Sequence, residues 1–116
     1  MYEKNPFGFQ INVEKEKQRI VFYLAGPDTR YNGKEYMIEK DEIEKFCQAL
    51  KENFHLYQEK KASGSLKNIP GAMGMTIRFG LVEGVCFGGV YGKIRSEKKL
   101  EECISYIEKM REELVS

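Results

Sequence analysis

Three cysteines, one histidine and eighteen acids are the groups with which this chain of 116 residues could do bond-making chemistry. Cys47, Cys86 and Cys103 are far apart, so neither a disulfide framework nor a Cys-x-x-Cys metal clip is written here. Each lies in a hydrophobic stretch and reads as a reduced thiol filling the core. A nucleophilic thiolate needs a base or cation beside it, and His55 falls on a helix without an identifiable partner, so cysteine catalysis is rejected. Gly88-Gly89-Val90-Tyr91-Gly92-Lys93 invites a phosphate-loop reading, but the spacing is one residue short and Ile94 stands where Ser or Thr should bind magnesium. A strand explains these glycines better. The acids sit on polar helix faces, where no apolar surroundings would push two carboxyl pKa values apart. No catalytic residue, metal ligand or cofactor is therefore assigned, and the chain is expected not to be an enzyme.

The remaining chemistry is that of surfaces. Nineteen bases against eighteen acids leave a net charge of +1, far from the balance of a dedicated nucleic-acid binder. The charges are nevertheless segregated. Residues 39–59 carry six acids and three bases, residues 96–116 six acids and four bases, and residues 60–95 six bases with Glu83 as the one acid. An acidic helical side opposed to a basic loop and hairpin is the expectation, and such patches orient protein association.

Positioning falls to alternating and helical patterns. Residues 7–13 alternate, with Phe7, Phe9, Ile11 and Val13 on one side, as in a half-buried strand. A charged turn at residues 14–17 leads to a second strand over 19–25, and Asn32-Gly33 predicts a hairpin turn into a third over 34–38. Asp41 and Glu44 have N-cap and N3 spacing for a helix whose stripe is Ile43, Phe46, Cys47, Leu50, Phe54 and Tyr57, ending near Gln58. Residues 59–72 read as a long loop. A fourth strand begins at Met73, with Met73, Met75, Ile77, Phe79 and Leu81 on one face, and a fifth runs over 85–94. Ser96 caps a last helix with the stripe Leu100, Cys103, Ile104, Ile107, Met110 and Leu114.

The order β-β-β-α-β-β-α predicts an α+β domain: an antiparallel sheet of about five strands with two helices packed on one face. Gly88 and Gly92 would let a helix approach that sheet closely. With the small side of the last strand and the Met73 series toward the helices, the outer face carries Val21, Tyr23, Thr76, Arg78, Phe87 and Tyr91. Tyr, Phe and Arg are enriched in interface cores, so Tyr23, Thr76, Arg78, Phe87 and Tyr91 are the candidate partner-binding residues. The same residues could stack a base, but RNA-binding sheets follow a β-α-β-β-α-β order and a basic-Gly-aromatic signature, which Glu83-Gly84-Val85-Cys86-Phe87 does not supply. No direct nucleic-acid partner is expected.

Residues 1–116 suit a single domain. No apolar run approaches the ~20 residues that span a bilayer and no secretory core follows Met1, so a cytoplasmic address without a membrane partner is the default. A second copy covering the outer face, a homodimer, stays open.

Several stretches together resemble one family. Phe7-Gly8-Phe9 starts the first strand, Tyr36-x-Ile38 leads to Ile43-x-x-Phe46-Cys47-Gln48-Ala49-Leu50, and Met75-Thr76-Ile77-Arg78-Phe79-Gly80 follows, with Gly89-Val90-Tyr91-Gly92 and Ser105-Tyr106-Ile107 completing the pattern. In these the chain resembles the small immunity proteins of bacterial polymorphic-toxin and contact-dependent growth inhibition systems, in particular the WapI-like group. The resemblance implies a non-enzymatic inhibitor that binds the C-terminal domain of a cognate toxin and occludes its active site. Many such toxins are nucleases, whose basic clefts would suit an acidic surface. The alternative kept beside it is a small ligand- or nucleotide-binding regulatory or inhibitor domain, including a phage-encoded one, with Tyr23, Arg78, Phe87 and Tyr91 as a stacking pocket.

Overall fold

A computed structural model describes residues 6–7, 10–23, 35–65, 67–80, 83–86 and 94–115. Strands β1 (Gln10–Glu14), β2 (Arg19–Tyr23) and β3 (Glu35–Glu39) form one antiparallel sheet in the order β1-β2-β3. Helix α1 (Ile43–Ala62) follows a single 3-10 turn over Lys40–Glu42. Then come the short strands β4 (Ile69–Pro70), β5 (Thr76–Arg78) and β6 (Gly84–Cys86), a second antiparallel sheet in that order, and helix α2 (Glu97–Val115). The α+β class is as expected, but the strands make two sheets of three, not one sheet of about five.

Two local causes account for the difference. Residues 59–72 are not one long loop: α1 continues to Ala62, because Glu59, Lys60 and Lys61 are sound helix formers and no breaker intervenes. Gly64, at φ +80, stops the helix. The Gly64 N–H donates to the Lys61 carbonyl at 3.2 Å and the Ser65 N–H to that of Lys60 at 3.0 Å, the paired bonds of a glycine C-cap. Residues 69–70 then pair with β5, so the loop supplies an edge strand of its own. The second cause lies beyond β6. Val85 and Ile94 exchange backbone hydrogen bonds of 2.8 and 3.0 Å as an antiparallel bridge, which excludes one straight strand over residues 85–94. Gly88 and Gly92, expected to ease helix approach, lie outside the described residues, as do Asn32 and Gly33.

Helix entry also differs from expectation. The Glu39 N–H donates to Glu42 Oε1 at 3.2 Å, so the reciprocal capping spacing falls two residues earlier than Asp41 and Glu44. At α2 the expected cap is present, with the Lys99 N–H donating to Ser96 Oγ at 3.2 Å.

A single apolar core joins both sheets and both helices. Phe22, Phe46, Ile20, Ile38, Ile43, Leu50, Ile77 and Ile107 are fully buried within it. Each side chain of this size contributes about 1.5–3 kcal/mol on leaving water. Around Phe22 the aromatic rings interlock: Phe7 meets it edge-on at 5.1 Å and Phe46 stacks on it at 6.0 Å. Phe7 takes part from a turn, since β1 starts only at Gln10. Helix α1 touches β3, β5 and β6, while α2 packs on α1 and β1, so α1 is the element common to the two sheets.

Candidate functional site

Register decides which side chains share a face. In the first sheet Ile20 opposes Val13 and Ile38, and Phe22 opposes Ile11 and Tyr36, so these point into the core. The other face carries Arg19, Val21 and Tyr23 from β2, Asn12 and Glu14 from β1, and Glu35, Met37 and Glu39 from β3. Val21 is 1% exposed although it lies outside the main core, whereas Met37, its neighbour on β3, is 46% exposed and is the one large hydrophobic side chain that the described residues leave open. Arg19 Nε bonds Glu14 Oε1 at 2.5 Å across β1 and β2. Glu35 and Glu39 flank Met37 along β3, an edge strand among the described residues. A half-buried tyrosine and an open methionine beside carboxylates form an apolar centre with an acidic rim, the anatomy of a protein interface.

The second sheet has a different outer face. Thr76 opposes Pro70 and Cys86, and Arg78 opposes Gly84, while Ile77 faces the core with Ile69 and Val85. Alternation along residues 85–94 puts Cys86 on the small, inward side and Val85 on the outer one; the register instead places Val85 in the core and Cys86, though fully buried, on the Thr76 side, because β6 takes its phase from β5 and from the Val85–Ile94 bridge. Thr76 and Arg78 are half-buried, and among the described residues Arg78 has no ion-pair partner. Tyr23 thus belongs to one sheet and Thr76 and Arg78 to the other, while Phe87 and Tyr91 lie outside the described residues. The five candidates do not assemble as one continuous patch of a single sheet.

Two side-chain clusters were missed by pattern reading. Asn53, 3% exposed, projects from α1 and grips the backbone of residues 71–75. Its Nδ2 donates to the Ala72 carbonyl at 3.2 Å and to Met75 Sδ at 3.1 Å, and its Oδ1 accepts from the Ala72 N–H at 3.1 Å. Tyr36 secures the same segment by donating its hydroxyl to the Met73 carbonyl at 2.5 Å, where Met73 holds a left-handed φ of 56°. Burial, aided by the nearby Glu42 carboxylate, pushes the Tyr36 phenol up to about 12.

At the far end of α1, Tyr57 and Lys61 both donate to Glu83 Oε2, and Lys61 Nζ lies 5.7 Å from the Tyr57 ring centroid. Phe79 stacks on the same ring at 5.6 Å. The hydrogen bond from Lys61, then that from Tyr57, lowers the Glu83 pKa, and Glu83 in turn raises that of Lys61. Burial first, and then Glu83, raises that of Tyr57. A hollow of about 350 Å3 opens beside them, lined by Phe54, Tyr57, Gln58, Lys61, Arg95 and Glu97. The sequence does hold one signal for this cluster: Glu83 is the solitary acid of a basic stretch, and Tyr57 and Lys61 are spaced i,i+4.

Charge distribution follows the revised boundaries. Because α1 takes in Lys60 and Lys61, it carries four bases and three acids and is not acidic; Glu35, Glu39, Asp41 and Glu42 against Lys40 make the acidic stretch on β3 and the turn after it. A broader groove of about 650 Å3 along α2 mixes Lys98, Lys99 and Lys109 with Glu101 and Glu102, so it has no field of one sign. Burial raises the thiol pKa of Cys47, and that of Cys103 to about 12, which opposes thiolate formation near neutrality. No helix among the described residues is long and apolar enough to cross a membrane. Comparison with protein-family models, with curated proteins and with solved structures returns no match in any of the three.

Proposed function

We propose that this chain is an immunity-type inhibitor that binds a cognate bacterial toxin domain, of the nuclease class, in the cytoplasm and occludes its active site without chemistry of its own. The observation that carries this reading is the β3 side of the first sheet's outer face, where exposed Met37 lies between Glu35 and Glu39, with half-buried Tyr23 and the Arg19–Glu14 pair beside it. An apolar centre with an acidic rim suits a basic cleft of the kind that handles phosphodiester backbones, and like-signed partners are repelled. The resemblance of the strand and helix motifs to WapI-like immunity proteins points the same way. Thr76 and Arg78 on the second sheet belong to a separate contact region of the same partner.

The alternative, a nucleotide- or ligand-binding regulator, needs Tyr23 and Arg78 to line one pocket, and they sit on different sheets. The proposal predicts a toxin gene beside this one, and co-expression with that toxin domain tests it. A 1:1 complex by calorimetry and rescue of growth are expected. A folded toxin domain that shows no heat of binding overturns it, and a nucleotide that raises the melting temperature would favour the regulator instead.

A further inference from the structure

We propose that the edge of β3 facing away from β2, which no other described strand occupies, is a strand-addition site, which accepts an extended segment of a partner protein carrying lysine or arginine on either side of an apolar residue. It rests on the docking reading above, to which it adds the mode of contact and the partner's chemistry.

The backbone phase of β3 is fixed by the ladder. The Lys40 N–H donates to the Gln18 carbonyl at 2.9 Å, one step beyond the Arg19–Glu39 pair. Opposed residues of an antiparallel pair alternate between bonded and non-bonded, so Ile38 with Ile20 and Tyr36 with Phe22 are the bonded pairs. The N–H and C=O groups of Glu35, Met37 and Glu39 therefore point away from β2. The Glu39 N–H agrees, since it reaches outward to Glu42 Oε1. Among the described residues β2 is the one ladder neighbour of β3, and no backbone bond reaches Met37 from its open side. Main-chain groups facing outward in this way are a template for another strand.

The side chains at the same positions select the occupant. An added strand would lay alternate residues beside Glu35, Met37 and Glu39 on the open face. Carboxylate, methionine, carboxylate asks for base, apolar, base. A second copy of this chain is disfavoured: antiparallel pairing centred on Met37 sets Glu35 of one copy against Glu39 of the other, twice over. Just beyond the strand Asp41 and Glu42 outnumber Lys40, so residues 35–42 stay net acidic, although Lys17 and Arg111 lie beside Glu39 and Asp41.

The test is fluorescence anisotropy at low salt with a labelled, end-capped peptide reading Thr-Lys-Thr-Val-Thr-Lys-Thr, beside the same peptide with glutamate for both lysines. The lysine peptide should bind saturably, about tenfold tighter than its counterpart, and weaken as salt rises. Met37→Pro removes an N–H that the β2 ladder does not use, so the variant should stay folded by circular dichroism and lose about tenfold in affinity. Absence of saturable binding, or equal binding by a folded Met37→Pro variant, overturns the inference. If Met37→Pro does not fold, the double variant Glu35→Lys, Glu39→Lys decides, because its preference should switch to the glutamate peptide; an unswitched preference overturns the inference. The toxin domain separates the two claims: equal binding to wild type and folded Met37→Pro removes strand addition and leaves the inhibitor, whereas peptide binding without toxin binding removes the inhibitor and leaves the edge site.

Discussion

In the first sheet each strand is five residues long and β2 is laddered along its whole length on both sides, whereas the strands of the second run to two or three residues. What the second sheet lacks in backbone pairing it draws from side chains. Asn53 bonds the 71–75 segment, Asn68 Oδ1 accepts from the Phe79 N–H at 3.0 Å, and Glu83 is held by Tyr57 and Lys61. A regular ladder needs only alternation to specify it, while a minimal sheet depends on a few polar groups at single positions.

The comparison can be sharpened by substitution, the largest effect falling where the ladder is richest. Phe22→Ala empties the centre of the aromatic cluster and should lower stability by about 4 kcal/mol in urea unfolding, with β2 as the element that fails. In the second sheet, Gly84→Ala places a Cβ 2.6 Å from the Ile94 carbonyl oxygen at φ +126, a backbone clash that cannot be relieved by a rotamer. A loss on the order of 3 kcal/mol is expected there. Asn53→Ala leaves the Ala72 N–H without its acceptor and takes one of two donors from the Ala72 carbonyl, which keeps the Met75 N–H, and should cost about 2 kcal/mol. Its coupling to Gly71 is the stronger test: a Cβ at Gly71 would sit 2.6 Å from Asn53 Oδ1, so Gly71→Ala should destabilise the wild type and be nearly neutral on the Asn53→Ala background. Additive losses would mean that the clamp does not position the segment.

The smallest effect is a pH dependence. The lowered pKa of Glu83 gives a contribution that is fully present above the ordinary glutamate value of 4.5 and fades as pH falls through the lower native value. Glu83→Gln should lower the neutral plateau by that contribution and flatten the acid limb, so that the variant and the wild type converge at low pH. An unaltered acid limb would place the second sheet's support elsewhere.

Much of this architecture was legible in the sequence. The stripe Ile43, Phe46, Cys47, Leu50, Phe54 and Tyr57 is buried throughout, as are Leu100, Cys103, Ile107, Met110 and Leu114 on α2, because a helical period over five turns has one face to hide. Met75, Ile77 and Phe79 are buried as their period of two requires, but the strand does not begin at Met73, which lies in a 3-10 turn over Ala72–Gly74, and β5 spans Thr76–Arg78. The division into two sheets was not legible, since period-two alternation says which face a residue takes and nothing about which strand lies beside it. Nor was the phase of β6, whose three residues, one of them Gly84, are too few to show a period. Of the candidate site, Tyr23, Thr76 and Arg78 have their predicted strand positions, but joining them required a single sheet. Asn53 escaped notice because a polar residue within a helix ordinarily reads as solvated.

Cys47 in α1, Cys86 in β6 and Cys103 in α2 are all buried and outside any disulfide, one thiol in each of three separate elements. Evolution has thereby left a labelling kit inside the molecule: the rate at which an alkylating reagent reaches each sulfur clocks how often that element opens. A shared rate for all three would mean cooperative opening, and a faster Cys86 would time the small sheet's independent excursions.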